Sequence, residues 1–232
     1  MKEYDPLDLY ARIEPMIGFY EAYEKLYEHY LNALARYAPQ TVLDVGCGNG
    51  TLLLKLQGRY DATGIDLSPK MVQIARTKGA RAFVRSIEEE QGRYDAIVAV
   101  SDVLNYLDPK MLEPFLSQIA RCLNPGGVFL ADINTLYGFE EVAAGGLIEE
   151  EPGAFLAIDA HFHDRRLTTR FTLFEEQKRL WRRHNATIIQ HYHAPSSILS
   201  HREFEPVGVE EIALFSQEEP DKQMLILRTR TT

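Results

Sequence analysis

The residue types best suited to hold a charged small molecule lie in Asp44-x-Gly46-x-Gly48-x-Gly50, between the apolar pair Val42-Leu43 and the helix-forming stretch Thr51-Leu-Leu-Leu-Lys-Leu56. Glycine adopts backbone angles that other residues avoid and lets the main chain approach a ligand closely. A helix starting after such a turn points its unpaired amides at the bound group. Strand, turn and helix therefore predict a ligand site at residues 44–50. A dinucleotide fingerprint needs a third glycine three positions after the second, where Thr51 stands. Its pyrophosphate would also be repelled by a carboxylate at position 44. Asp44 suits the cationic end of a ligand instead. The competing reading is an ordinary strand-turn-helix whose glycines serve packing.

A second carboxylate closes the short strand Asp61-Ala-Thr-Gly-Ile-Asp66. At the end of a strand beside the glycine turn, it can accept hydrogen bonds from both hydroxyls of a ribose, each worth about 1.5–3 kcal/mol. Asp66 could instead cap the helix opened by Ser68-Pro69, although those two residues already supply that cap. Ser86 and Ile87 follow a third strand at residues 82–84. Ser101, Asp102, Asn105 and Tyr106 follow a fourth, the apolar run at 94–100. Ligands of open α/β sheets lie beyond the carboxyl ends of strands, so these loops are expected to face one crevice. Ser86 could equally bond its own backbone, and Asn105 could simply cap a turn.

These phrases carry a family resemblance. Asp44-x-Gly46-x-Gly48-x-Gly50, Gly64-Ile-Asp66-Leu67-Ser68-Pro69-Lys-Met71 and Leu123-Asn-Pro-Gly-Gly127 resemble class I S-adenosylmethionine-dependent methyltransferases. Asp102-Val-Leu-Asn105-Tyr106-Leu is similar to one group of bacterial small-molecule methyltransferases. The resemblance implies S-adenosyl-L-methionine as cofactor, S-adenosyl-L-homocysteine as product, and methyl transfer to nitrogen or oxygen of a small molecule. It implies cofactor contacts for Asp44, Gly46, Cys47, Gly48, Asp66, Leu67, Ser86, Ile87 and Ser101. Substrate contacts fall to Asn105, Tyr106 and an N-terminal arm in which Tyr4, Tyr10 or Tyr20 closes the site. The family commonly has an acidic residue where Ser86 stands, which passes the adenine contact to the Ser86 hydroxyl, Glu88 or main chain. Two rivals stay open: a non-catalytic S-adenosylmethionine-binding module and a nicotinamide-dependent oxidoreductase. No catalytic side chain is obligatory for a donor already activated by its charge.

Histidines pair as His161 with His163 and His191 with His193, near His184 and His201. Without cysteine or closely spaced carboxylates to complete a ligand set, the pattern predicts a wet sheet face and no metal. One histidine as general base is the better functional use. Six arginines between 165 and 183 read as solvent-facing charge, with an inward one available to hold an anionic substrate.

The rest of the chain must position these residues. Its 232 residues, 45% apolar, are enough for one large domain with an appended unit. A net charge of -9 disfavours a broad nucleic-acid surface. Cys47 and Cys122 lack metal-like spacing, no apolar run approaches membrane length, and the first residues are too acidic for a signal peptide. A cytoplasmic protein with a small-molecule substrate and no membrane partner is expected. Helices and strands alternate through residue 133, which predicts an α/β fold: a Rossmann-like, mostly parallel sheet with helices on both faces. Residues 1–38 form an arm and helix over the cofactor site, with a short helix at 7–13 and a longer one at 19–34. Residues 39–135 form the binding core. Residues 136–194 comprise a Gly- and Glu-rich connection and a small inserted antiparallel block on the substrate side. Residues 195–232 supply a last helix at 195–204 and the closing antiparallel strands of the core sheet.

Overall fold

The computed structural model describes residues 6–230. Helices α1 (Pro6–Ile17) and α2 (Tyr20–Tyr37) precede an alternation of β1 (Thr41–Val45), α3 (Thr51–Gln57), β2 (Asp61–Asp66), α4 (Pro69–Thr77), β3 (Ala82–Val84), β4 (Tyr94–Ala99), α5 (Pro109–Cys122) and β5 (Leu123–Asn134). Strands β6 (Gly145–Glu151), β7 (Ala154–His163), β8 (Arg166–Gln177) and β9 (Leu180–His191) follow. Helix α6 (Pro195–Leu199), β10 (Phe204–Ile212) and β11 (Lys222–Thr229) complete the chain.

The main sheet has the order β10-β11-β5-β4-β1-β2-β3. Its five early strands run parallel, and β11 is antiparallel to both β5 and β10. Covered on both faces, such strands must be apolar at nearly every position. In β1, Val42 faces one core with α2, α3 and α4, while Leu43 and Val45 face the other with α5 and α6. The strand order reverses between β1 and β4. That reversal opens a crevice at their carboxyl ends, where the glycine turn lies.

The other four strands form a separate antiparallel sheet in chain order. Its two-residue turns, Asp164-Arg165 and Lys178-Arg179, hold both central residues at positive φ, the geometry that matches strand twist. Leu156, Leu173 and Ala186 of this sheet receive the fully buried Leu9 and Ile13 of α1. That packing explains why α1 continues through Pro15 to Ile17, beyond the segment expected from sequence.

Two expectations need correction. Strand β6 lies in the stretch read as a connection; its glycines and glutamates hide any alternation, and pairing with β7 makes it a strand. Acidic side chains on this open edge discourage further pairing. The last helix is only the single turn α6, because Phe204 is fully buried as the first residue of β10. A register shift between Pro206 and Gly208 obscures β10 in the sequence. Among the described residues, no helix is long and apolar enough to cross a membrane.

Candidate active site

A cavity of about 460 Å³ opens at the carboxyl ends of β1, β2 and β4, with α1 and α2 on its far side. That volume fits a small molecule. Asp44, Gly46, Cys47, Gly48, Asp66, Leu67, Ser86, Ile87, Ser101, Tyr10 and Tyr106 all line it. Asn105 does not.

The glycine turn forms because β1 must reverse direction against neighbouring loops. Gly46 has φ +72°, and a Cβ there would fall 2.6 Å from Cγ2 of Val103. Its N–H donates to the Ile65 carbonyl at 2.8 Å, which ties the turn to β2. The N–H of Gly48 donates to Oδ2 of Asp66 at 2.8 Å, and that of Ser68 donates to Oδ1 at 2.8 Å. Asp66 thus braces both the turn and the start of α4. Each oxygen keeps a second lone pair for a ligand hydroxyl. Burial raises the Asp66 carboxyl above its ordinary range, and these amides pull against the rise.

Asp44 is only 2% exposed, and its Oδ2 has no hydrogen-bond partner. Burial, with the charge of Asp66 behind it, pushes its carboxyl up to about 7. A buried carboxylate without a partner is costly, whereas a ligand cation in the cavity would relieve it. Burial likewise raises the Cys47 thiol, so it stays neutral; its Sγ fills the place a Cβ on Gly64 would need.

On the far side of β2, Ser86 starts the short turn Ile87–Glu89 and donates its N–H to Oε2 of Glu89 at 2.9 Å. Local capping and a place on the cavity wall therefore coexist at Ser86. Ile87 is buried beside it, and Leu67, 65% exposed, forms the rim.

Sequence reasoning missed the polar cluster behind Ser101. Ser101 and Asp102 are consecutive non-glycine residues at φ +64° and +69°. Such angles cost of order 1–3 kcal/mol each and need a holding partner. Asp132, fully buried at the end of β5, accepts both backbone N–H groups, at 2.8 and 3.2 Å, and the Tyr30 hydroxyl at 2.8 Å. Lys222 of β11 donates to Asp102, to Oδ2 of Asp132 at 3.3 Å and to Oδ1 of Asn134 at 2.8 Å. Burial opposes the charge on Lys222, but the Asp102 and Asp132 carboxylates outweigh it and raise its pKa. The available signal was Asp132 ending an apolar strand, as Asp44 does, together with Lys222 opening another.

The wall opposite the turn differs from expectation. Tyr10, Glu14, Tyr23 and Tyr27 of α1 and α2 form it, and Nδ2 of Asn49 donates to Oε1 of Glu14 at 2.7 Å, latching α1 to the glycine turn. Tyr20 is exposed and outside the lining, and Tyr4 lies outside the described residues. Asn105 is fully buried, donating from Nδ2 to the His191 carbonyl at 2.9 Å and accepting the Asn134 N–H at 3.0 Å. It pins β9 to the core and lies outside the cavity lining. The four-stranded sheet backs α1 and, among the described residues, contributes none to the lining. Its arginines therefore face no ligand there, and none of its histidines is placed to act as base. His161 and His163 are exposed as expected, but His184, His193 and His201 are buried. His184 pairs with Glu175 at 3.2 Å, and His193 meets the Leu107 carbonyl at 3.1 Å. Among the described residues, no three metal-ligating side chains converge.

Residues 42–127 match the family model described as a methyltransferase domain. Over 143 residues the chain is 31% identical to YqeM of Bacillus subtilis, a methyltransferase by name, covering 54% of this chain and 58% of that protein. It is 36% identical over 118 residues to a ubiquinone biosynthesis O-methyltransferase of Xanthomonas oryzae, covering 45% and 48%. The chain thus spans about half the length of the curated relatives it matches. Among solved structures, an S-adenosylmethionine-dependent methyltransferase from Clostridium acetobutylicum has a TM-score of 0.76 at 18% identity, over 90% of this chain and 92% of that one. The sugar N-methyltransferase KedS8 from Streptoalloteichus has 0.75 at 18%, over 99% and 97%. At such identity these two speak for the fold.

Strand order and glycine turn are those of a Rossmann-like fold, and the segment that carries them matches a methyltransferase domain. The donor set fits S-adenosylmethionine: an unpaired carboxyl for its ammonium end and a second carboxyl with free lone pairs for hydroxyls.

Proposed function

We propose that this protein transfers a methyl group from S-adenosylmethionine to nitrogen or oxygen of a small molecule. The observation that carries the reading is the orphaned Asp44 oxygen at the cavity, one strand away from Asp66. When bound, the cofactor supplies an electrophilic methyl on a sulfonium, so no protein nucleophile is required. The chain's own residues then bind and orient. Asp44 takes the ammonium end, Asp66 the ribose hydroxyls, Ile87 and Leu67 pack the adenine, and Ser86 borders its amino edge. Ser101 sits beside the methionine portion. Tyr10, Tyr23 and Tyr106 enclose the acceptor and exclude water, which favours displacement between charged and neutral partners. A dinucleotide is disfavoured because its pyrophosphate would meet the Asp44 carboxyl.

The similar proteins include a sugar N-methyltransferase and a ubiquinone biosynthesis O-methyltransferase, and the cavity volume suits a small-molecule acceptor. Cytoplasmic action belongs to the same reading, since Cys47 and Cys122 are free thiols of the kind a reducing compartment maintains. Thermal unfolding with S-adenosylmethionine, S-adenosylhomocysteine, NAD and NADP tests the cofactor. Ligand-linked stabilisation by the first two alone is expected. Stabilisation by a nicotinamide dinucleotide alone would reverse the reading.

A further inference from the structure

Carboxylates dominate the cavity. Among the described residues, its lining holds the carboxyls of Glu14, Asp44, Asp66, Glu88 and Asp102 against the single guanidinium of Arg85. Arg85 is engaged by Glu90 at 2.8 Å, on the side of the turn at Ile87–Glu89. With Asp44 and Asp66 assigned to the cofactor, Glu14 held by Asn49 and Glu88 in the turn beside Ser86, Asp102 is left for the acceptor.

Three features make Asp102 more than a loop residue. Its backbone is held in the left-handed region by Asp132, an arrangement maintained at a cost in energy. Its carboxyl shares one cation, Lys222, with Asp132, so two carboxyls face one ammonium. It lines the same cavity as Tyr23 and Tyr106. The hydroxyls of Tyr10 and Tyr23 meet at 3.3 Å, and Tyr106 stands 39% exposed at the mouth. Aromatic faces beside a carboxylate attract a cation, whereas an anion would be repelled.

Resting on the methyl-transfer reading above, we propose that the acceptor is a primary or secondary amine, bound as its ammonium by Asp102 within the wall of Tyr10, Tyr23 and Tyr106. The chemistry agrees with the residues present. An alkyl hydroxyl is a far weaker acid than an ammonium, so a carboxylate that can relay an ammonium proton is too weak a base for it, and among the described residues neither histidine nor lysine lines this cavity. An ammonium needs to lose only its own labile proton, to Asp102 and from there to water at the mouth. The freed nitrogen lone pair then forms the bond to the methyl carbon as the carbon–sulfur pair returns to sulfur. The products are a methylated ammonium and neutral S-adenosylhomocysteine.

The test uses full-length protein saturated with S-adenosylhomocysteine and calorimetric titration of three matched probes: cyclohexylmethylamine, cyclohexylmethanol and cyclohexanecarboxylate. The amine should bind at least about tenfold more tightly than the alcohol, with the carboxylate weakest. Asp102→Asn should remove that preference while leaving S-adenosylhomocysteine affinity within about twofold. Tyr106→Leu, at the exposed mouth, should weaken the amine alone and serves if Asp102→Asn fails to fold. Equal binding of amine and alcohol, preference for the carboxylate, or no amine binding to the loaded protein would overturn the amine assignment. Failure of S-adenosylhomocysteine to bind would instead strike the methyl-transfer reading.

Discussion

The Asp44 carboxyl should make cofactor affinity depend on pH. Its carboxyl is pushed up to about 7 by burial and by Asp66, against an ordinary value of 3.8. The shift corresponds to roughly 4 kcal/mol favouring the protonated form in the ligand-free protein. The sign follows from proton counts. Between about pH 4 and 7 the folded protein holds this proton and the unfolded chain does not, so the contribution is fully present below about pH 4 and fades as pH rises to about 7. A cofactor ammonium needs the ionised form. Below about pH 7 the proton must leave on binding, so affinity should fall close to tenfold per pH unit and level off above about pH 8. Calorimetry of S-adenosylhomocysteine binding in buffers of different ionisation enthalpy would count the released proton directly, nearly one at about pH 6 and near zero at about pH 8.5. Asp44→Asn should flatten the profile and weaken plateau affinity by about tenfold or more, the value of a charge-assisted hydrogen bond. A flat wild-type profile, or an asparagine variant that keeps the wild-type slope, would refute the assignment of Asp44 to the ammonium.

Two further outcomes follow from the geometry. Asp66→Ala should weaken S-adenosylhomocysteine binding by about tenfold or more through loss of ribose hydrogen bonds, and unchanged affinity in a folded variant would remove Asp66 from the site. Lys222→Met should lower unfolding free energy by about 3–5 kcal/mol in urea titration, because Asp132 and Asp102 would be left without their shared cation; a loss below about 1 kcal/mol would show the cluster to be neutral as built.

Much of the core was legible because its signals are local. Residues 42–50 carry strand, turn and helix in sequence, and Asp66 closes the neighbouring strand, so the order of elements along the chain already brings the two carboxyls together. The long-range partners were not legible. Lys222 meets Asp102 across 120 positions, and Asp132 meets Tyr30 across 102. No periodicity announces such pairings. Asn105 illustrates the opposite error: a polar residue in a loop beyond a strand end suggests a substrate contact, but its amide is consumed by the backbone of His191 and Asn134. The late strands, the largest segment outside the binding core, suggest themselves as the acceptor wall. In the structure, α1 stands between that sheet and the cavity, since Leu9 and Ile13 face the sheet, Glu14 faces the cavity and Tyr10 touches both. An isolated pattern of apolar residues around Pro6 and Pro15 does not reveal a helix sandwiched in this way.

The central claim is that this crevice is a methyl-donor site, and a crystal structure of the protein with S-adenosylhomocysteine tests it most directly. The amino group should lie within hydrogen-bond distance of Asp44, the ribose hydroxyls on Asp66, and the sulfur should face Tyr10, Tyr23 and Tyr106. A nucleoside bound away from Asp66, or an amino end turned from Asp44 into solvent, would contradict the account.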